Sequence, residues 1–188
     1  MKEKLKILVV ASNDGGCSYY RALMPFGKLQ QKCKDEVEVR FNKNPINWDV
    51  STNTTGGTHE DLKWCDIMMT QNISNFGPLF MVELFKASRD EGKFIHYDTD
   101  DLLTEIYPGH RLYDIYQERD LSTLTKTLYS NADLVSVTQR KFARRIEKHV
   151  AGTLVVIKNA IDFDLPCWNL GKQYRTSKKR PCQIGWVG

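Results

Sequence analysis

Short, unbroken apolar runs alternate with helix-patterned segments from residue 5 to residue 157, and no other property restricts the fold as much. Residues 5–11 read as the first strand of a parallel sheet buried on both faces, because the apolar side chains run on without alternation. A second strand falls at 37–41, where apolar and charged residues alternate, and further strands fall at 66–70, 93–97, 133–138 and 154–157. Between them, residues 17–31 carry Tyr20, Leu23, Met24 and Leu29 at helical spacing, with Pro25 predicting a kink. Gly77-Pro78 opens the next helix and Gly92 stops it, with Phe80, Val82, Leu84 and Phe85 as the expected buried stripe. Residues 117–129 place Leu121, Leu124, Thr125 and Leu128 on one face, and 139–148 form a short basic helix. Strand and helix in turn predict an α/β fold, a Rossmann-like doubly wound parallel sheet with helices on both faces. Residues 42–60 are polar and rich in Asn, Thr and Gly. They predict a long loop with little structure of its own, a length that points to binding.

The chain has 188 residues, 41% of them hydrophobic and 27% charged, enough to build one cored domain and exclude wholesale disorder. Residues 1–165 form that domain and the polar, basic stretch 166–182 reads as a linker. Residues 183–188, ending Trp186-Val187-Gly188, read as the opening strand of a second, C-terminal domain that is absent. No apolar run approaches the ~20 residues a bilayer span needs. The start, Met1-Lys2-Glu3-Lys4, lacks the apolar core of a signal peptide. Five cysteines without a Cys-x-x-Cys spacing point to a reduced, cytoplasmic setting without a zinc site. Net charge is +4, with positive charge gathered at Arg140, Lys141, Arg144, Arg145 and Lys148 and again from Lys172 to Arg180. These read as a solvated helix face and a linker, the alternative being an anionic partner, a phospholipid surface or nucleic acid.

Ligands of open parallel sheets bind beyond the carboxyl ends of the strands, and three polar groups fall there. After the first strand come Asn13, Asp14, Gly15, Gly16, Tyr20 and Arg21. Paired glycines before a helix permit close backbone approach, and a helix start favours an anion such as pyrophosphate. A plain tight turn is the alternative. Asp98-Thr99-Asp100-Asp101 follows the fourth strand. Three carboxylates in four residues repel one another, so a role toward hydroxyls, a cation or helix amides is expected, with an N-cap as the alternative for Asp100 or Asp101. Alternation sets Asp98 on the same face as His96, which reads as a packed strand histidine. After the last strand, Lys158-Asn159-Ala160-Ile161-Asp162 suits a turn leading out of the domain.

Taken in order, these segments resemble the N-terminal domain of a GT-B fold glycosyltransferase of the large retaining family that includes sucrose and mannosyl transferases. The likeness is carried by Ile7-Leu8-Val9-Val10 with Gly15-Gly16 and Tyr20-Arg21, by Tyr97-Asp98-Thr99-Asp100-Asp101-Leu102, by Asn131-Ala132-Asp133-Leu134-Val135, and by Val156-Ile157-Lys158-Asn159-Ala160-Ile161-Asp162. Ile184-Gly185-Trp186-Val187-Gly188 is similar to the strand that opens the family's second domain. The aromatic-Arg phrase and the acidic turn are similar to members found in phage and bacterial genomes. The resemblance implies half of a two-domain enzyme. A UDP- or GDP-sugar sits mainly on the missing domain, and a glycan, lipid or other acceptor is held by this one. No metal is required. It implies Asp100 and Asp101 as catalytic residues, and Gly15, Gly16, Tyr20, Arg21, Asp98, Asn159 and Asp162 as donor- or acceptor-binding residues. The chain departs from the family where Asp100 replaces a common histidine and Lys158 replaces a proline.

Such a half-enzyme is expected to be inactive alone, peripheral to a membrane if its acceptor is a lipid, and prone to form a homodimer through uncovered apolar surface. Other readings are a non-catalytic module, which docks on a chain that carries the donor domain or binds an acceptor glycan, and a flavodoxin-like nucleotide or phosphate binder. DNA is a lesser alternative acceptor, because aromatic stacking groups beside the basic helix are lacking.

Overall fold

The computed structural model describes residues 3–160, so Asp162, the linker and the 183–188 strand lie outside the described residues. Six strands form one parallel sheet: β1 (Leu5–Val10), β2 (Val37–Phe41), β5 (Ile67–Gln71), β6 (Phe94–Thr99), β7 (Leu134–Val137) and β8 (Thr153–Val156). Their order is β2-β1-β5-β6-β7-β8, with every neighbouring pair parallel. The chain therefore winds outward in both directions from β1. The crevice between β1 and β5 is the topological switch point.

Alternation along each strand sorts the core into two layers. Leu8, Val10, Met68, Ile95, Tyr97, Val135 and Val137 face the larger core. It is covered by α3 (Glu60–Trp64), α4 (Pro78–Asp90), α6 (Leu121–Asn131) and α7 (Arg140–Ile146), which supply Leu62, Phe80, Leu84, Leu128, Phe142 and Ile146. Ile7, Val9, Val39 and Met69 face the other side and pack on Ala22, Leu23, Phe26 and Leu29. Those residues belong to one continuous helical stretch: α1 (Gly16–Ser18), a π turn (Tyr19–Leu23) and α2 (Met24–Lys32). The doubly wound α/β fold with helices on both faces is thus observed.

Several local expectations need correction. Residues 42–60 are not structureless. Ile46 and Trp48 are buried, and β3 (Trp48–Asp49) pairs with β4 (Thr54–Thr55) as a hairpin. Asn44 clamps it, accepting from Trp48 N at 2.6 Å and donating to Trp48 O at 3.0 Å. Two buried apolar anchors and a side-chain clamp give this segment its structure. The helix expected over 117–129 is broken into α5 (Tyr113–Glu118) and α6, because Asp120 adopts a left-handed φ of 45°. Val82 is 44% exposed rather than part of the buried stripe, since Met81 takes the core-facing position. The helix disturbance near Pro25 takes the form of the π turn, where Met24 N bonds to Tyr19 O. Gly92, at φ 66°, ends α4 as expected.

One residue of the resembling phrase Asn131-Ala132-Asp133 has a plainly structural task. Asp133 accepts both oxygens' worth of contact from Arg89 Nη1, at 3.0 and 2.9 Å, and caps Ile95 N at 2.7 Å. It ties α4 to the starts of β6 and β7.

Candidate functional site

Residues of all three groups singled out at the strand ends meet through one side chain. Arg21, in the middle of the π turn, reaches down onto β6. Its Nε donates to Asp98 Oδ2 at 3.0 Å, and its Nη2 donates to Asp98 Oδ1. Its Nη1 donates to the Ile157 carbonyl and, at 3.2 Å, to Asn159 Oδ1. The first helix, the acidic strand end and the exit from β8 are so bound together. Arg21 and Asp98 have side chains only 3% and 2% exposed. A guanidinium is suited to this place because its planar fork meets a carboxylate with two parallel bonds.

The pair continues as a buried network. Ser136, beside Asp98 in the β6–β7 register, donates to Asp98 Oδ1. Its hydroxyl is thereby left to accept from His96 Nε2 at 2.7 Å, which assigns the Nε2–H tautomer to a neutral imidazole. Burial, aided by the Arg21 charge, pushes the His96 pKa down to about 4. Burial also lifts the Asp98 carboxyl above its ordinary range, opposed by the Arg21 fork and the Ser136 hydroxyl. His96 and Asp98 do share one face, as alternation requires. The walls above this network are Tyr20, Pro25, Phe26, Leu29 and Met69, enclosing about 270 Å3.

Asp100 and Asp101 stand apart from that buried pair. β6 ends at Thr99, so neither extends the strand, and no helix begins behind them for either to cap. Asn72 Nδ2, at the end of β5, donates to Asp100 Oδ1 at 2.7 Å. Asn72 itself has a left-handed φ of 46°, which carries the chain away from the sheet there. Cys17, an exposed residue, also brings its thiol to Asp100. Its pKa is raised, chiefly through its hydrogen bond to Asp100, then by burial and the charges of Asp100 and Asp101. Desolvation first, then the Asp100 charge, raises the Asp101 carboxyl, with His110 pulling the other way.

The glycine turn is organised by side chains rather than by glycine's freedom. Asn13 Oδ1 accepts from Gly15 N at 2.7 Å and from Ser18 Oγ at 3.1 Å. Gly15 has φ −81° and precedes the first helical residue. A Cβ on Gly15 would lie 2.9 Å from Asn13 Oδ1, so that turn is tight, whereas Gly16 has open space around it. Tyr20 is 40% exposed and stacks edge-on against Tyr19, centroids 5.1 Å apart. Above the switch point, Asn75 N donates to Ser12 O at 3.1 Å and bridges the β1 and β5 loops.

Two features lay beyond sequence reasoning. Ser136 and Asn72 complete the two clusters, yet in the sequence they are an ordinary strand serine and a loop asparagine. Gln71, at the end of β5, is fully buried with neither side-chain polar atom partnered. Among the described residues no helix is long and apolar enough to cross a membrane.

No protein-family model matches this chain, and no curated protein matches it in sequence. Its chemistry therefore rests on the strand-end geometry. A carboxylate braced by an amide and a second carboxyl of raised pKa, beside a glycine turn, can hold hydroxyl groups and exchange protons with them.

Proposed function

We propose that the chain is the N-terminal, acceptor-side domain of a nucleotide-sugar-dependent retaining glycosyltransferase, one half of a GT-B fold. The observation that carries this reading is the cluster of Asp100, Asn72 and Cys17 at the ends of β6, β5 and the start of the first helix, beside the switch point. Polar groups from three loops gathered there suit a substrate site of an open parallel sheet.

In this reading Asp100 takes the proton of an acceptor hydroxyl as that oxygen bonds to the donor's anomeric carbon. The bond from that carbon to the nucleotide diphosphate breaks meanwhile, and the diphosphate leaves with the electron pair. Asp101, whose carboxyl pKa is raised by burial and by the Asp100 charge, lies beside Asp100 and holds a second hydroxyl of the acceptor. The backbone at Gly15 and Gly16 faces the donor's diphosphate, whose main grip comes from a second domain. Tyr20 and Lys158 are exposed at the same edge. The Arg21 fork is committed inside the protein, so Arg21, Asp98 and Asn159 act as positioning residues that hold the acidic strand end against the domain exit.

The test is an assay of the full polypeptide that carries this sequence against UDP- and GDP-sugars, with the product's anomeric configuration read by proton NMR. Transfer with retention, lost in Asp100→Asn, is the expected result. A polypeptide that neither transfers nor hydrolyses any sugar nucleotide overturns the proposal and favours a non-catalytic binding module.

A further inference from the structure

Asp100 borders a second cleft, on the side facing α7. Gln139 and Lys141 form the opposite wall, Leu102 and Phe142 contribute apolar surface, and the Arg145–Glu105 ion pair closes one end. The space measures about 410 Å3, within the roughly 300–1,000 Å3 of small-molecule sites. The sequence marked this helix only as a basic face for water, phospholipid or DNA. Its placement beside Asp100 gives two of its side chains another use.

The lining charges discriminate among ligands. Asp100 and Glu105 contribute two negative charges, Lys141 and Arg145 two positive ones, so the cleft is balanced. Arg145 is already paired with Glu105. A polyanion such as a diphosphate or a nucleic-acid backbone would meet Asp100 with only Lys141 in compensation. Neutral hydroxyls fit better. Asp100 accepts, Lys141 donates, and the Gln139 amide does both, while Phe142 and Leu102 lie under a C–H face. We propose that this cleft is a subsite for a neutral, hydroxyl-rich ligand, a monosaccharide unit of the acceptor, with Gln139 and Lys141 as its specificity-determining residues. The assignment of that ligand to the acceptor rests on the glycosyltransferase reading.

Neutral sugars (glucose, galactose, mannose and N-acetylglucosamine) and, separately, inorganic phosphate are titrated into the isotopically labelled chain and followed by amide NMR. At least one sugar is expected to shift the backbone amides of Asp100, Leu102, Gln139 and Lys141 and the Gln139 side-chain amide. Lys141→Met and Gln139→Leu each weaken that sugar fivefold or more, and phosphate does not displace it. Both side chains are exposed; Gln139 precedes α7 and its side chain does not cap it, and the helix's buried residues are Phe142 and Ile146, so the variants keep the fold. The proposal is overturned if no sugar shifts these amides, if both variants bind undiminished, or if phosphate binds the same amides more tightly. The two proposals separate cleanly. Transfer activity with unshifted amides removes this subsite alone, whereas sugar binding here without any transfer removes the glycosyltransferase reading alone.

Discussion

Arg21 and Asp98, 77 residues apart in sequence, form a two-pronged ion pair buried at the carboxyl edge of the sheet. Burying two charges is costly, and the cost is offset only while both partners and their hydrogen bonds are in place. Arg21→Met leaves Asp98 charged in an apolar site, and a loss of about 3–5 kcal/mol is expected in urea unfolding. Arg21→Lys should lose a large part of this, because an ammonium cannot reproduce the fork. The double variant Arg21→Met/Asp98→Leu should recover much of the stability. If the double variant is as unstable as the sum of the singles, the two residues do not act as a pair.

His96 should make the protein acid-sensitive. Its pKa is near 6.5 in the unfolded chain and about 4 in the fold, so between these values the unfolded state binds more protons. Stability is therefore fully present above pH 6.5 and is lost as pH falls toward 4, by roughly 3 kcal/mol. Asp98, raised by burial, works in the opposite sense over the window between its unfolded and folded values. Subtracting the pH profile of His96→Gln from that of the parent isolates the histidine. A parent and variant with parallel profiles would mean that His96 titrates normally.

Cys17 reports on Asp100. The carboxylate keeps the thiol protonated, so alkylation at pH 8 should be slow for an exposed cysteine. Asp100→Asn removes the charge, lowers the thiol pKa and should speed labelling several-fold, since about one pH unit is a factor of ten in thiolate. Peptide mass spectrometry distinguishes Cys17 from the other cysteines. An unchanged rate would show that the two groups do not interact.

Gly152 is required by contact. A Cβ there would lie 2.4 Å from the Asp133 carbonyl oxygen and 2.5 Å from that of Ala132, atoms of backbone that cannot step aside. Thr153 N bonds to the same Asp133 oxygen at 2.8 Å, so β8 joins β7 at this point. Gly152→Ala should cost roughly 1–3 kcal/mol or more and loosen β8, seen as a fall in melting temperature and faster hydrogen exchange at Thr153. Gly16→Ala, with open space around it, should be nearly neutral and serves as the control.

The central strands were legible because a strand buried on both faces writes itself as an apolar run, and Leu8, Met68, Ile95 and Val135 are all fully buried, whereas the edge strand β2 showed itself by alternation. Errors gathered where a local pattern served two masters. Val82 and Met81 are equally apolar, but only Met81 keeps the i, i+3, i+4 spacing with Leu84 and Phe85, so helical phase sets it in the core and turns Val82 outward. Residues 42–60 looked loop-like because the hairpin rests on two buried side chains, Ile46 and Trp48, too few to make a periodic signal. Asp120 interrupts its helix by a left-handed turn that an aspartate adopts without any glycine to announce it.

By itself the sequence determined the parallel α/β sheet and the side of it on which polar groups collect, since both follow from hydrophobic periodicity and chain direction. The tertiary structure alone decided how those groups are divided. It spent Arg21 and Asp98 on each other inside the protein, and left Asp100 between Asn72, Cys17 and the α7 cleft. Adjacent residues of an acidic run have the same charge and the same propensities. Their fates diverge because Asp98 still lies within the strand, beneath the Arg21 turn, and Asp100 lies just past its end.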